Sequence, residues 1–232
     1  MTSIKPPGKP PGKPSNNSGP TPEFRQELVA KLKKHVLRGD YQGGLRIARE
    51  ALGRYPEDLT CRYQYAKLLG DWADELTPAR KARYKKEAIA ILRPLTRRLS
   101  GRDPEESFGL CLNYYYQSQD FTGMVAFGRR QAGRGVRKGH YAEALGACLH
   151  AQKLEEAGKP ARAGRWARIS VAAWKRYDLR REPYYFAHYS LALALALAGQ
   201  RSEARRTLAK AARLSGRPVT DWEFADVLKL LA

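Results

Sequence analysis

Few residues of this chain have the types and spacing that catalysis or metal binding requires. The histidines are scattered, and none has a neighbour at a recognisable catalytic or ligand spacing: His35, His140, His150 and His188. The adjacent pairs Glu105-Glu106 and Glu155-Glu156 would point about 100° apart on a helix, so neither pair can serve as a general acid and base. We therefore expect a protein that is not an enzyme and that uses no cofactor.

Three glycines lie close together in the middle of the chain: Gly133, Gly135 and Gly139. No predicted strand precedes them, and no lysine followed by serine or threonine comes after them. A phosphate-binding loop would therefore lack its usual context. We interpret the stretch as a flexible joint between two helical units.

The cysteines are odd in number and widely separated: Cys61, Cys111 and Cys148. Such a set is typical of buried thiols in a reducing compartment. The N-terminus has lysines but no apolar run typical of a signal peptide. The longest apolar run, Leu191–Ala198, is far shorter than the roughly 20 residues of a membrane span. These features predict a cytoplasmic protein without a membrane partner.

Charge is the most unusual feature of the composition. The chain has 43 lysines and arginines against 23 aspartates and glutamates, which gives a net charge of +20. Nine basic residues and one acidic residue fall between Arg80 and Arg102. Such a surface attracts an acidic protein or the phosphates of a nucleic acid, although it could also serve solubility alone. We predict a basic face that contains Arg80, Lys81, Arg83, Lys85, Lys86, Arg97, Arg98, Arg162, Arg165, Arg168, Arg205 and Arg206.

A repeated helical hairpin must position these side chains. The turn Gly39-Asp40-Tyr41, followed by small residues at 44, 48 and 51 and by Pro56, predicts two helices that approach closely. Similar turns are predicted near residues 76, 119, 158 and 199, so that successive turns are 37 to 43 residues apart. This regular spacing indicates a repeat array. Helix-forming residues dominate and no strand-period segment of useful length appears, so the predicted fold is all-α.

The turn and the small positions after it resemble the tetratricopeptide repeat family over residues 24–218. The spacing is longer than the family's usual repeat of about 34 residues, and no copy has the tryptophan expected early in its first helix. The resemblance implies a right-handed α-solenoid of antiparallel helix hairpins, with about five degenerate repeats in residues 23–218. It also implies that first helices line a concave groove, that second helices form the convex back, and that the protein binds partners without catalysing a reaction.

Counting back from each turn places a set of side chains in the groove that the resemblance implies: Lys33, Tyr63, Lys67, Asn113, Tyr116, Gln117, Gln152 and Tyr189. Tyrosine supplies a large contact area with few rotatable bonds to freeze, which suits peptide capture. Some family members hold a partner's terminal carboxylate with lysines and asparagines. Only Asn113 is suitably placed here, so no such clamp is predicted.

Two further segments flank the repeats. Residues 1–22 are rich in proline, glycine and lysine, which predicts a disordered tail that is either a ligand for an aromatic groove or a solubilising extension. Residues 219–232 begin with a capping box formed by Thr220 and Glu223. We expect them to form a helix that covers the last repeat with Trp222, Phe224, Val227 and Leu228.

The leading functional hypothesis is a non-enzymatic scaffold or adaptor. Its groove binds a segment of a protein partner, and its basic face holds an acidic partner. The alternative is a helical repeat protein that binds RNA or DNA through phosphates without sequence preference. The sequence does not indicate the oligomeric state.

Overall fold

The computed structural model of the chain describes residues 19–98 and 104–232. The described residues form eleven α-helices and no strand, which confirms the all-α prediction. The helices are α1 (Pro22–Leu37), α2 (Tyr41–Arg54), α3 (Leu59–Ala73), α4 (Pro78–Arg98), α5 (Pro104–Gln117), α6 (Phe121–Gly133), α7 (Lys138–Glu156), α8 (Pro160–Tyr177), α9 (Tyr185–Leu197), α10 (Arg201–Ser215) and α11 (Ala225–Leu231).

Helices end at the five turns that the sequence predicts. Glycines with positive φ stand at three of them, with φ of 69° at residue 39, 68° at residue 158 and 78° at residue 199. Two aspartates cap the helices that follow, because Asp40 accepts a hydrogen bond from the backbone N–H of Gly43 at 2.9 Å and Asp120 accepts one from Gly123 at 2.8 Å. A left-handed glycine and a capping carboxylate together make a tight reversal.

The small residues of the repeat pattern are buried where helices meet. They include Gly44, Ala48 and Ala51 in α2, Ala163 and Ala167 in α8, and Ala204 and Ala211 in α10. Larger apolar side chains, such as Leu45 and Leu208, fill the space beside them. Short side chains at these positions let the helix axes come close, which explains why the pattern recurs.

Each helix packs against the next along the chain, and α1 with α3, α3 with α5, α7 with α9, and α9 with α11 also touch. The odd-numbered helices therefore contact one another in two groups, α1 with α3 and α5, and α7 with α9 and α11. The main contacts of each even-numbered helix are with the odd-numbered helices on either side of it. No helix in the described ranges has the length and apolar character needed to cross a membrane.

Of the three glycines of the expected flexible joint, only Gly139 is packed against another helix, while Gly133 and Gly135 are exposed and would have no atom within 4 Å of an added Cβ. Gly128 and Gly139 are buried, and a Cβ added to Gly139 would lie 2.3 Å from the backbone nitrogen of Ala132. Only Gly135, with φ of 83°, uses glycine for a turn. Gly128 and Gly139 allow backbone-to-backbone contact between α6 and α7.

Proline usually ends a helix or stands at its first position, and two prolines of this chain do neither. Pro94 lies inside α4 without dividing it. Helix α9 begins at Tyr185 rather than at Pro183, because the Glu182 carboxylate accepts hydrogen bonds from the Tyr184 backbone N–H at 3.2 Å and from the Tyr177 hydroxyl at 2.8 Å. These bonds hold the preceding residues in an extended loop.

The C-terminal segment packs on α9 and α10, but its start differs from the expected capping box. Asp221 caps the turn by accepting from the Glu223 backbone N–H at 3.0 Å, and the Glu223 carboxylate pairs with Arg217 at 2.9 Å. Trp222 is 78% exposed, so it covers nothing. Phe224 and Val227 are fully buried in one apolar cluster with residues of α9 and α10, and Leu228 packs at the edge of that cluster.

Candidate functional site

Helices α3 and α5 lie against each other along the face that carries most of the predicted groove residues. A Cβ added to Gly109 of α5 would lie 3.9 Å from the hydroxyl of Tyr63 of α3. Two turns further along, the side chain of Gln117 covers Gly70 so closely that an added Cβ would come within 2.5 Å of it. The α3–α5 face, defined here as Tyr63, Lys67, Asn113 and Tyr116, is therefore one continuous surface.

Tyr116 is the most exposed aromatic ring of the α3–α5 face, at 40% exposure. Partial burial raises the pKa of its hydroxyl, and Asp74 and Asp71 raise it further, so both carboxylates lie near the ring. Lys67 forms an ion pair with Asp71. An amphipathic ring beside a charged pair can make both apolar and hydrogen-bonded contacts with a ligand.

Asn113 and Tyr63 complete the α3–α5 face. The side-chain oxygen of Asn113 is buried and accepts no hydrogen bond from the described residues. Tyr63 packs at the edge of an apolar cluster of α3, α4 and α5. Burial, with a smaller contribution from Asp71, raises the pKa of Tyr63 to about 12. The Tyr63 hydroxyl therefore stays protonated near neutral pH. The Asn113 side-chain oxygen is an acceptor without a donor among the described residues.

Gln117 lies inside the contact between α3 and α5 rather than on an open surface. It is 2% exposed, and neither of its amide atoms has a hydrogen-bond partner among the described residues. Gly70 is the residue that makes room for it. The sequence pattern places Gln117 on the correct side of α5 but does not reveal that α3 covers it.

The C-terminal segment already engages the predicted groove residues of α7 and α9. The Gln152 amide donates a hydrogen bond to the Asp226 carboxylate at 3.1 Å. The ring of Tyr189 lies 6.0 Å from that of Phe224. Lys33 is exposed on α1 and forms no ion pair with a described residue. Of the predicted groove residues, Lys33 and the four residues of the α3–α5 face are therefore the ones that remain open to a ligand.

Two of the predicted basic-face residues share one carboxylate. Lys81 and Lys85 reach Asp74 at 2.9 and 2.8 Å, and the Lys85 side chain is only 14% exposed. Burial raises the pKa of Asp74, but its hydrogen bonds to Lys85 and Lys81 outweigh that effect and lower it. These lysines fasten α4 to α3, and Asp74 offsets one of their two positive charges.

The other predicted basic residues differ in the contacts that their side chains make. Arg83 stacks near the Tyr84 ring, and Arg205 donates a hydrogen bond to the Leu231 carbonyl at 2.9 Å. The side chains of Arg97 and Arg98 lie outside the described residues. Six are exposed and form no ion pair within the described part of the chain: Arg80, Lys86, Arg162, Arg165, Arg168 and Arg206. Four of these define what we name the α8–α10 basic surface: Arg162, Arg165, Arg168 and Arg206.

A buried carboxylate that the sequence does not single out joins three helices. Glu143 of α7 is buried, and its two oxygens accept hydrogen bonds at 2.9 Å from Arg129 of α6 and Arg176 of α8. His140, one turn earlier, lies 3.9 Å away. The spacing of three between His140 and Glu143 is the signal that could have indicated this cluster. Its geometry fastens α6 and α8 to α7.

Removing both arginine partners of Glu143 is expected to destabilise the protein by about 3 kcal/mol, because an unpaired carboxylate would then be buried. The variant is Arg129→Ala/Arg176→Ala, measured by urea unfolding. Adding Glu143→Gln to that variant should recover at least about 1 kcal/mol, since a neutral amide is easier to bury. No recovery would show that the arginines act through packing rather than by pairing with Glu143.

Within the described ranges, no group of three or more histidine, cysteine, aspartate or glutamate side chains could hold a metal ion. The three cysteines are free and buried, as expected. Burial raises the pKa of Cys61 to about 12 and that of Cys111 to about 11. Both thiols therefore stay protonated and unreactive near neutral pH.

No protein-family model matches this chain, and no curated protein shows significant similarity to it.

Proposed function

We propose that the protein is a non-enzymatic scaffold whose α3–α5 face binds an extended segment of a protein partner. The observation that carries this proposal is the combination of a half-exposed Tyr116 with the unused acceptor of Asn113. A peptide would supply both an apolar contact for the ring and a backbone N–H for the amide oxygen. Satisfying a buried acceptor that otherwise lacks a donor gives such a ligand specificity as well as affinity.

The proposed architecture is a solenoid of antiparallel hairpins of the tetratricopeptide type. Contacts between α3 and α4 support it, because Asp74 meets Lys81, Trp72 meets Tyr84 and Tyr65 meets Glu87. From one contact to the next, the residue number falls along α3 while it rises along α4, which is typical of two antiparallel helices. The contacts among α1, α3 and α5 and among α7, α9 and α11 support a surface built from first helices.

The partner that we propose is acidic, because the α8–α10 basic surface lies on the even-numbered helices α8 and α10. Its exposed arginines have no ion-pair partner among the described residues, so their field extends into solvent. A partner whose segment lies on the α3–α5 face could place an acidic region against these arginines. Charge complementarity of this kind speeds association and selects partners more than it adds affinity.

Nucleic-acid binding is the second candidate function. It is favoured by three exposed arginines of α8, at positions 162, 165 and 168. Phosphate contacts would give binding without sequence preference and a steep loss of affinity with added salt. The buried or stacked state of Trp166 and Trp174 leaves few aromatic rings for base stacking. The observations therefore favour the protein partner.

Replacing Tyr116 and Asn113 together by alanine is expected to abolish capture of the partner in a pull-down from native cell extract. The loss should be at least tenfold, because a central aromatic anchor and a buried hydrogen bond disappear at once. The variants Arg162→Glu, Arg165→Glu and Arg168→Glu, combined in one chain, should slow capture without abolishing it. Each pull-down is run with and without nuclease.

The matched control is Tyr184→Ala, which removes a tyrosine that is 58% exposed at the start of α9 and is not one of the residues that define the α3–α5 face. That variant should capture the partner as the unaltered chain does. Capture that disappears after nuclease treatment, or that survives loss of Tyr116 and Asn113 but not the triple charge reversal, would overturn the proposal in favour of nucleic acid.

A further inference from the structure

A cleft of about 620 Å³ opens between α8, α9 and α10. Its volume lies in the range of sites for small organic ligands, about 300 to 1,000 Å³. Its walls come from the C-terminal half of α8 and from the middle of α10, and α9 supplies part of its floor. None of its lining residues belongs to the α3–α5 face.

The cleft has an excess of positive charge. Arg180 and Asp178 neutralise each other through hydrogen bonds of 2.7 and 2.9 Å. Three further cations line the walls and form no ion pair with a described residue: Lys175, Arg206 and Lys210. Glu203 is the one remaining carboxylate of the lining. The uncompensated lining charge therefore favours an anionic ligand.

The floor of the cleft is formed by buried rings. His188 is 2% exposed and donates from Nε2 to the Glu182 carbonyl at 3.0 Å. Burial lowers the pKa of His188 more than this bond raises it, so the ring is neutral at pH 7. Trp174 is 1% exposed, and its indole N–H has no hydrogen-bond partner among the described residues. A buried donor without an acceptor is rare in a folded protein and costs stability.

We propose that this cleft binds the phosphate group of a small organic phosphate, with Lys175, Arg206 and Lys210 contacting the phosphate oxygens and the Trp174 indole donating to the same ligand. A phosphate suits the site because its several oxygens can accept from separate donors at once. Leu179 and Leu191 give the floor an apolar part on which the organic portion can lie. The site shares no residue with the α3–α5 face, and Arg206 is the one residue that it shares with the α8–α10 basic surface.

Calorimetric titration at constant ionic strength tests this site with inorganic phosphate, pyrophosphate and adenosine monophosphate as probes. We expect adenosine monophosphate to bind more tightly than inorganic phosphate, because only the former reaches the apolar floor. The variant Arg206→Gln/Lys210→Gln should raise the Kd at least tenfold, since two charge-assisted contacts are lost. Both residues lie on the walls of the cleft, so the fold should persist.

The matched control is Arg165→Gln/Arg213→Gln, which removes the same charge from exposed positions of α8 and α10 outside the cleft. Its Kd should stay within twofold of that of the unaltered chain. Equal weakening in both variants would mean that the anions respond to net charge alone, and that outcome would overturn the site. Absence of binding by all three probes at millimolar concentration would overturn it as well.

Nuclear magnetic resonance of the indole N–H groups provides a readout at the site itself. The chain has four tryptophans, so three conservative changes to phenylalanine, at 72, 166 and 222, assign the remaining signal to Trp174. We expect that signal to move downfield as ligand is added, because the indole gains an acceptor. A ligand that binds without moving it would contradict the proposed contact.

Discussion

Replacing Gly128 by alanine is expected to destabilise the protein by about 3 kcal/mol, near the upper end of the usual cost of overpacking. A Cβ at this position would lie 2.4 Å from the backbone nitrogen of Glu143 and 2.7 Å from the carbonyl oxygen of Gly139. Both atoms belong to the backbone of α7, so no side chain can rotate away. The two helices must separate, and every contact between them weakens.

Thermal unfolding followed by circular dichroism measures this effect, and a cost of about 3 kcal/mol corresponds to a fall in Tm of roughly 6–12 °C for a chain of this size. Gly133→Ala is the matched control in the same helix. No atom lies within 4 Å of its added Cβ, and its φ is not positive. That variant should be neutral or slightly stabilising. Equal melting of Gly128→Ala and the unaltered chain would show that α6 and α7 are further apart in solution.

Replacing Phe224 by alanine is expected to cost about 3 to 5 kcal/mol, the usual range for removing a buried phenylalanine. Phe224 is fully buried in the apolar cluster that joins α9, α10 and the C-terminal segment. Its loss leaves a cavity against Leu193 and Leu208 and loosens the hold of α11 on the last hairpin. Urea unfolding should show the midpoint at a lower concentration.

Trp222→Ala is the control, because Trp222 is two residues earlier and 78% exposed. Its replacement should change the free energy of unfolding by no more than about 0.5 kcal/mol. A larger effect of Trp222→Ala than of Phe224→Ala would restore the expectation from the sequence that Trp222 covers the last hairpin. It would also contradict the 3-10 turn that directs this side chain into solvent.

The helices and the turns between them could be predicted from the sequence because their signals are local. A glycine that adopts positive φ, an aspartate that caps the next helix and small residues three or four positions apart all act within one turn or one helix face. Gly39 and Asp40 illustrate this, since neither needs a distant partner to form the first turn. The predicted helices and turns are accordingly confirmed within the described ranges.

The start of the C-terminal segment could not be predicted because two arrangements of capping residues are possible there. Thr220 and Glu223 fit a capping box, yet Asp221 can cap the same backbone N–H groups one residue later. The choice is settled by Arg217, which pairs with Glu223 at 2.9 Å and removes its carboxylate from the box. That ion pair depends on the path of the chain between α10 and α11.

The exposed residues of the candidate site were harder to predict than the fold, because contacts between distant parts of the chain decide which side chains remain accessible to solvent. Gln152 is hydrogen-bonded to Asp226, and Tyr189 packs near Phe224. Lys85 looks like part of a basic run in the sequence, but it is nearly buried against Asp74. Counting from a turn gives the face of a helix on which a residue lies, and it does not show what another segment places over that face.

The most direct measurement of the proposed docking surface is site-specific photo-crosslinking from position 116. A photoreactive phenylalanine at Tyr116 should crosslink one acidic protein in nuclease-treated extract, and Asn113→Ala in the same chain should remove that product. The same group at Trp222, which is exposed but distant from the α3–α5 face in the chain, should not give that product. Crosslinking to nucleic acid alone, or equal capture of the same protein from both positions, would contradict a partner-binding site on α3 and α5.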